Sequence, residues 1–193
     1  MRLFIGVELP DDLKRRAAAA AARVRERIGR AAPESRVRWV EPANLHITIW
    51  FLGEVPEPKV EVLVASLKEP LEARSFTLRV AGAGAFPQSG PPRAIWLGLA
   101  AGVEGLRAVH DQLKLRLSPL GFEPEKRPFS PHLTIARVKD VRSPDAAAMR
   151  RMLREADDPV GECEIRSATL LVSRPTPTGS HYEALLSIPL GLS

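Results

Sequence analysis

A four-residue pattern occurs twice in this 193-residue chain: His46-Ile47-Thr48-Ile49, and 86 residues later His132-Leu133-Thr134-Ile135. Both copies follow a proline-bearing turn and open a stretch rich in β-branched and large apolar residues, so both read as strands. A repeat at that distance is far longer than a solenoid period and points to two pseudo-equivalent halves. On a strand, side chains two apart share a face, and the residue between them points away. Strict alternation therefore puts His46 and Thr48 on one face with Trp50, and Ile47, Ile49 and Phe51 on an apolar face beneath helices. In the second copy His132 and Thr134 share a face while Leu133 and Ile135 point inward. Each half spends a buried face on presenting an imidazole beside a hydroxyl.

The remaining chain alternates between the two periodicities, which predicts an α+β or α/β domain over residues 1–193. Strands are expected at Arg2–Glu8, Val37–Val40, Leu45–Leu52, Phe76–Val80, Ala94–Leu99, Pro131–Val138, Ile165–Ser173 and Tyr182–Ile188. Helices are expected from Pro10-Asp11-Asp12 to a stop at Gly29, then over Lys59–Lys68, Val103–Leu117 and Pro144–Glu155. Gly82–Pro92 and Pro175–Gly179 read as turns.

The histidine pairs suit phosphoryl chemistry. Opening a cyclic phosphodiester needs a base to deprotonate water and an acid to protonate the departing oxygen, roughly in line across phosphorus. Imidazole can take either part near neutral pH, since its unperturbed pKa is ~6.5. Threonine hydroxyls can donate to the non-bridging oxygens as charge develops there. The chain's four histidines lack the short His-x-x-x-His spacing of a zinc site, and no glycine loop of the Walker type is present. Neither a metal nor a cofactor is expected.

Charge fits an anionic substrate. The balance is +5, and of 28 basic residues only six are lysine, so guanidinium groups dominate. No apolar stretch approaches the ~20 residues of a membrane span, and the alternating start Arg2–Val7 is unlike a signal peptide. The single Cys163, flanked by Glu162 and Glu164, reads as an inert thiol, consistent with a reducing cytoplasm. A cytoplasmic monomer is expected.

The flanks carry a resemblance. Asn44-Leu45-His46-Ile47-Thr48-Ile49-Trp50-Phe51-Leu52-Gly53 and Arg127-Pro128-Phe129-Ser130-Pro131-His132-Leu133-Thr134-Ile135-Ala136-Arg137 resemble the two signature motifs of the two-histidine (2H) phosphoesterase superfamily. The likeness is closest to its RNA 2′,3′-cyclic phosphodiesterases, historically called 2′-5′ RNA ligases. Arg2–Glu8 and Gly179–Tyr182 resemble that family too, so the likeness spans nearly the whole chain. It implies an α+β bilobal fold of two pseudo-symmetric lobes, each with an antiparallel sheet facing a central cleft and helices outside. It also implies His46 as proton donor and His132 as proton acceptor, an assignment that the residues alone leave open. The implied substrates are RNA 2′,3′-cyclic phosphate ends, tRNA fragments among them, or nucleoside 2′,3′-cyclic phosphates, opened to 2′-phosphates. The reverse reaction would join such an end to a 5′-hydroxyl. Two other activities fit the motifs: an RNA-end-binding module with incidental hydrolysis, and a phosphodiesterase for 2′-5′ oligonucleotides or small cyclic phosphates.

Further contacts are drawn from the surroundings. Arg127, in the loop before the second motif, is the favoured phosphate contact. Arg137 lies an odd number of positions from His132, which turns it to the opposite face unless the strand bends. Phe129, Trp50, Trp96 and Tyr182 are candidates to stack on a base or ribose. His110, beside Asp111 in a helical pattern, reads as a surface or capping residue, and His181 as an edge of the cleft.

Overall fold

The computed structural model describes residues 1–176 and 179–191, so the expected turn at Pro175–Gly179 falls partly outside the described residues, at Pro177 and Thr178. The elements are β1 (Arg2–Glu8), α1 (Asp11–Ala31), β2 (Arg36–Trp39), β3 (His46–Glu54), α2 (Glu57–Leu67), β4 (Leu71–Arg74), β5 (Phe76–Phe86) and β6 (Ala94–Ala101). They continue with α3 (Val103–Leu117), β7 (Leu133–Asp140), α4 (Ser143–Arg154), β8 (Pro159–Ile165), β9 (Ser167–Thr176) and β10 (Gly179–Gly191). Short 3-10 turns occupy Pro42–Asn44 and Ser118–Leu120.

The strands form one 10-stranded sheet in the order β4-β10-β9-β1-β3-β7-β6-β5-β8, with β2 also on β7. It consists of two half-sheets, one ending at β3 and the other at β7. They meet at an antiparallel rung where Ile47 stands opposite Leu133. These half-sheets are the two expected lobes, joined edge to edge. Within them the pairing is antiparallel except where β4 runs parallel to β10 at one end.

Helix placement locks the halves together. The α1 helix follows β1 yet packs with α4 against β8 and β5 of the second half. The α3 helix follows β6 yet packs on β3 and β4 of the first, with α2 beside it. Leu13, Ala17, Ala20, Val24 and Ile28 recur at three- and four-residue spacing, so α1 buries one stripe. Gly29 is not its stop. The helix runs on to Ala31 because Ile28 and Ala32 are both buried, and it ends before Pro33, whose ring disfavours helical geometry in the preceding residue.

Two strands, β4 and β8, were not expected from the sequence, and β5 is longer than predicted. Gly82 is no turn but the site of a slip between Val80 and Ala83 in the pairing with β6. Its φ of +73° is one that glycine adopts without strain. The hairpin closes later, where the Arg93 amide donates to the Phe86 carbonyl at 2.7 Å. On β8 the Cys163 thiol is half-buried, and desolvation, reinforced by the Asp12 carboxylate, raises its pKa. Among the described residues no helix is long and apolar enough to cross a membrane.

Candidate active site

The site is built on the seam between the half-sheets. An antiparallel register about Ile47 and Leu133 sets His46 beside Thr134 and Thr48 beside His132. Since Ile47 and Leu133 are buried, their neighbours in both motifs project from the other face. The two histidines are thus diagonal neighbours, a relation that separates side chains by roughly 7–8 Å, enough for one phosphate between two rings. They stand side by side on a continuous sheet rather than on facing walls. A groove of about 810 Å³ lies over His46, lined by it and by Thr48, Thr134, Arg137, Phe51 and Tyr182 among others. His132 is half-buried beside that lining.

Each imidazole is oriented the same way. The His46 Nδ1–H donates to the Asn44 carbonyl at 2.7 Å, and the His132 Nδ1–H donates to the Ser130 carbonyl at 2.8 Å. A carbonyl only accepts, so Nδ1 carries the proton in both neutral rings and Nε2 has its lone pair available. The Thr48 Oγ1 lies 3.0 Å from His46 Nε2 and donates to it while the ring is neutral. Burial is the first cause of a lowered pKa in both rings. At His46 the hydrogen bond to Asn44 and the Glu8 carboxylate oppose that shift, while Lys14 and Arg137 reinforce it. At His132 the hydrogen bond to Ser130 opposes it, and the Arg137 charge reinforces it.

A matched irregularity corrects three sequence expectations. The β1 strand pairs Gly6 with Thr48 and Ile5 with Trp50, leaving Ile49 as an extra residue. The β6 strand pairs Trp96 with Thr134 and Ile95 with Ala136, leaving Ile135 as its counterpart. A bulge of this kind inverts the alternation beyond it. Trp50 therefore turns away from the groove, 3% exposed, and packs on His110 with ring centroids 5.0 Å apart. Phe51, expected beneath the helices, is 51% exposed on the groove side. Arg137 is brought to the histidine face, where its charge acts on both rings. Arg127 is exposed in its loop, outside the groove lining.

The aromatic candidates divide between groove and interior. Tyr182 stands edge-on to His46 with centroids 4.9 Å apart, and Phe4 lies at the same distance from that ring. Phe86 at 4.9 Å and Trp96 at 6.4 Å flank His132. The Trp96 indole lies on Gly84, where a Cβ would come within 2.3 Å of it. Phe129 leaves the groove and stacks on His110 at 4.5 Å and 7°. His110 is partly buried, its side chain 17% exposed, with Nδ1 3.3 Å from the Asp111 carboxylate. His181 is exposed at the β10–β9 edge, paired with Arg174. Sequence reasoning missed Asn44, whose Nδ2 donates to the Ser180 carbonyl at 2.7 Å and so fixes the carbonyl that orients His46. It also missed Arg2, Arg38, Arg93 and Lys139 in the groove lining. Arg38 stands directly opposite Arg137 in the β2–β7 ladder, a cross-strand relation that the sequence does not show.

The chain is similar to known proteins along nearly its whole length. The RNA 2′,3′-cyclic phosphodiesterase of Aeropyrum pernix is 36% identical over 168 residues, covering 86% of this chain and 93% of that protein. Its namesake from Archaeoglobus fulgidus is 35% identical over 185 residues, covering 96% and 98%. The crystal structure of E. coli LigT complexed with 3′-AMP superposes with a TM-score of 0.69 at 26% identity, covering 98% of this chain and 97% of that one. The family model for LigT-like phosphoesterases matches twice in succession, over residues 10–96 and 97–181, so each match holds one His-x-Thr motif. By this double match, and by the two halves that meet at the paired motifs, the chain belongs to the LigT-like phosphoesterases of the two-histidine superfamily.

Proposed function

We propose that this protein hydrolyses 2′,3′-cyclic phosphates at RNA ends to 2′-phosphates without a metal, with His132 as general base and His46 as general acid. The observation that carries the reading is the pair of diagonal imidazoles on one sheet face, each tied at Nδ1 to a backbone carbonyl. A cyclic phosphate seated between them meets a lone pair on one side and a proton on the other. His132 Nε2 takes a proton from water as its oxygen attacks phosphorus, and the imidazolium of His46 gives its Nε2 proton to the departing 3′ oxygen. The protons balance: one leaves water, one enters the ribose hydroxyl, and the rings exchange their states. Thr48, Thr134 and Arg137 face the non-bridging oxygens, where charge builds up. Burial disfavours the charged form of both rings, which suits His132 as a base. His46 needs its proton favoured, and the anionic substrate and Glu8 both do so.

The groove favours an RNA end over a small cyclic phosphate. Arg38, Arg93 and Lys139 extend the positive lining beyond Arg137, further than one phosphate requires. Tyr182 and Phe51 offer ring faces to ribose and base. The relatives' names, RNA 2′,3′-cyclic phosphodiesterase, point the same way.

The test is an oligonucleotide ending in a 2′,3′-cyclic phosphate, incubated with and without EDTA. The expected product is the 2′-phosphate, at equal rates in both samples. His46→Ala and His132→Ala should each lower the rate by ~10²–10⁴-fold while the fold is kept. A strict metal requirement, or a His132→Ala variant of full activity, would overturn the proposal.

A further inference from the structure

The two motifs reach the seam by differently secured routes. Ahead of His46, β2 is held to β7 by a backbone ladder from Val37–Val138 to Trp39–Ala136, and Asn44 is anchored to Ser180. Ahead of His132, the Phe122 amide donates to Leu117, and among the described residues no backbone–backbone hydrogen bond follows until β7. Side chains must fix this segment. Pro124, Pro128 and Pro131 restrict its bending.

What docks it is a three-ring stack. Trp50 of β3 packs on His110 of α3 at 5.0 Å, tilted 35°, and Phe129 stacks on the same imidazole at 4.5 Å, nearly parallel. The stack joins the first half, which supplies Trp50 and carries α3, to the loop of the second half. It ends one residue before Ser130, whose carbonyl holds the His132 ring. His110 lies behind the sheet, on Trp50's side, and does not touch the groove.

We propose that His110 is a positioning residue for catalysis: its ring holds Phe129, and through Phe129 it fixes the Ser130 carbonyl and the direction in which His132 Nε2 points. This rests on the reading of His132 as the base. The ring face does the holding, so a flat apolar ring should substitute for imidazole.

The experiment compares His110→Ala, His110→Phe and Phe129→Leu with the unaltered enzyme on a nucleoside 2′,3′-cyclic phosphate, alongside native-state trypsin digestion at the exposed Lys126. Misplacing a catalytic group by about an ångström costs up to ~10²-fold, so His110→Ala and Phe129→Leu should lose ~10–100-fold in kcat with KM nearly unchanged. Both should also be cut faster after Lys126. His110→Phe should restore the rate and the resistance to trypsin. If His110→Ala does not fold, Phe129→Leu, which keeps bulk but not the ring face, makes the same comparison against His110→Phe. A folded His110→Ala with unaltered kcat, or a His110→Phe as impaired as the alanine variant, would overturn the proposal. An unaltered protein inactive on every 2′,3′-cyclic phosphate would instead sink the reading of His132, which is a different result.

Discussion

Glu8 is the Cα partner of His46 in the β1–β3 ladder, and the corresponding place in the other half belongs to a glycine. Continuing the β6–β7 register one step beyond Leu97–Leu133 sets Gly98 opposite His132, where a Cβ would meet the Ala81 carbonyl at 2.8 Å. Two otherwise matched imidazoles are thus told apart by a carboxylate beside one and the exclusion of any side chain beside the other. The sign follows from charge. A nearby carboxylate favours the imidazolium, so Glu8→Gln should lower the pKa of His46 further and move the alkaline limb of the kcat/KM profile to lower pH. The acid limb, set by His132, should stay in place; a profile unmoved on both sides would show that Glu8 has no part. The repeat made His46, Thr48, His132 and Thr134 legible from the chain alone. What distinguishes the two histidines was not legible, because it resides in cross-strand partners far away in sequence.

Strand irregularity decided which side chains serve the groove. The extra residues Ile49 and Ile135 occur at the same place after each threonine, and they reverse the faces of everything beyond. Simple alternation therefore succeeded for the four motif residues and failed for Trp50, Phe51 and Arg137. A bulge leaves no mark in hydrophobic patterning when the residues around it are apolar, as Ile-Trp-Phe and Ile-Ala are. The unexpected strand β8 hid for a related reason. Its exposed Glu162 and glycine-interrupted run suit an edge position, which the pattern of a buried strand does not describe. The consequence can be measured on the arginines. Arg137→Ala should cut kcat/KM by ~10²–10³-fold, as loss of a charge-stabilising donor does, while Arg127→Ala should stay close to the unaltered enzyme. Equal losses at the two positions would count against the bulged register.

Across the whole molecule, the groove lining carries five basic residues against Glu41 and Glu125: Arg2 from β1, Arg38 from β2, Arg137 and Lys139 from β7, and Arg93 just ahead of β6. If RNA lies along it, log(kcat/KM) for an oligonucleotide should fall with log salt, and the slope should ease by ~0.7 for each phosphate contact removed in Arg93→Ala or Lys139→Ala. A mononucleotide cyclic phosphate should show a flatter dependence, and identical slopes for both substrates would argue for a small-molecule substrate. The exchange of helices between halves was beyond reach of the sequence, since element order cannot say on which sheet a helix will settle. That exchange ties the halves together, because α1 covers β8 of the second half and α3 covers β3 and β4 of the first. The rung at Ile47 and Leu133 has a consequence of its own. Strands re-pair only in whole steps, and a slip of one residue would send one ring of the pair to the opposite side of the sheet. The gap that receives phosphorus therefore has no continuous adjustment: it is graduated like a ratchet, correct at one notch and useless at the next.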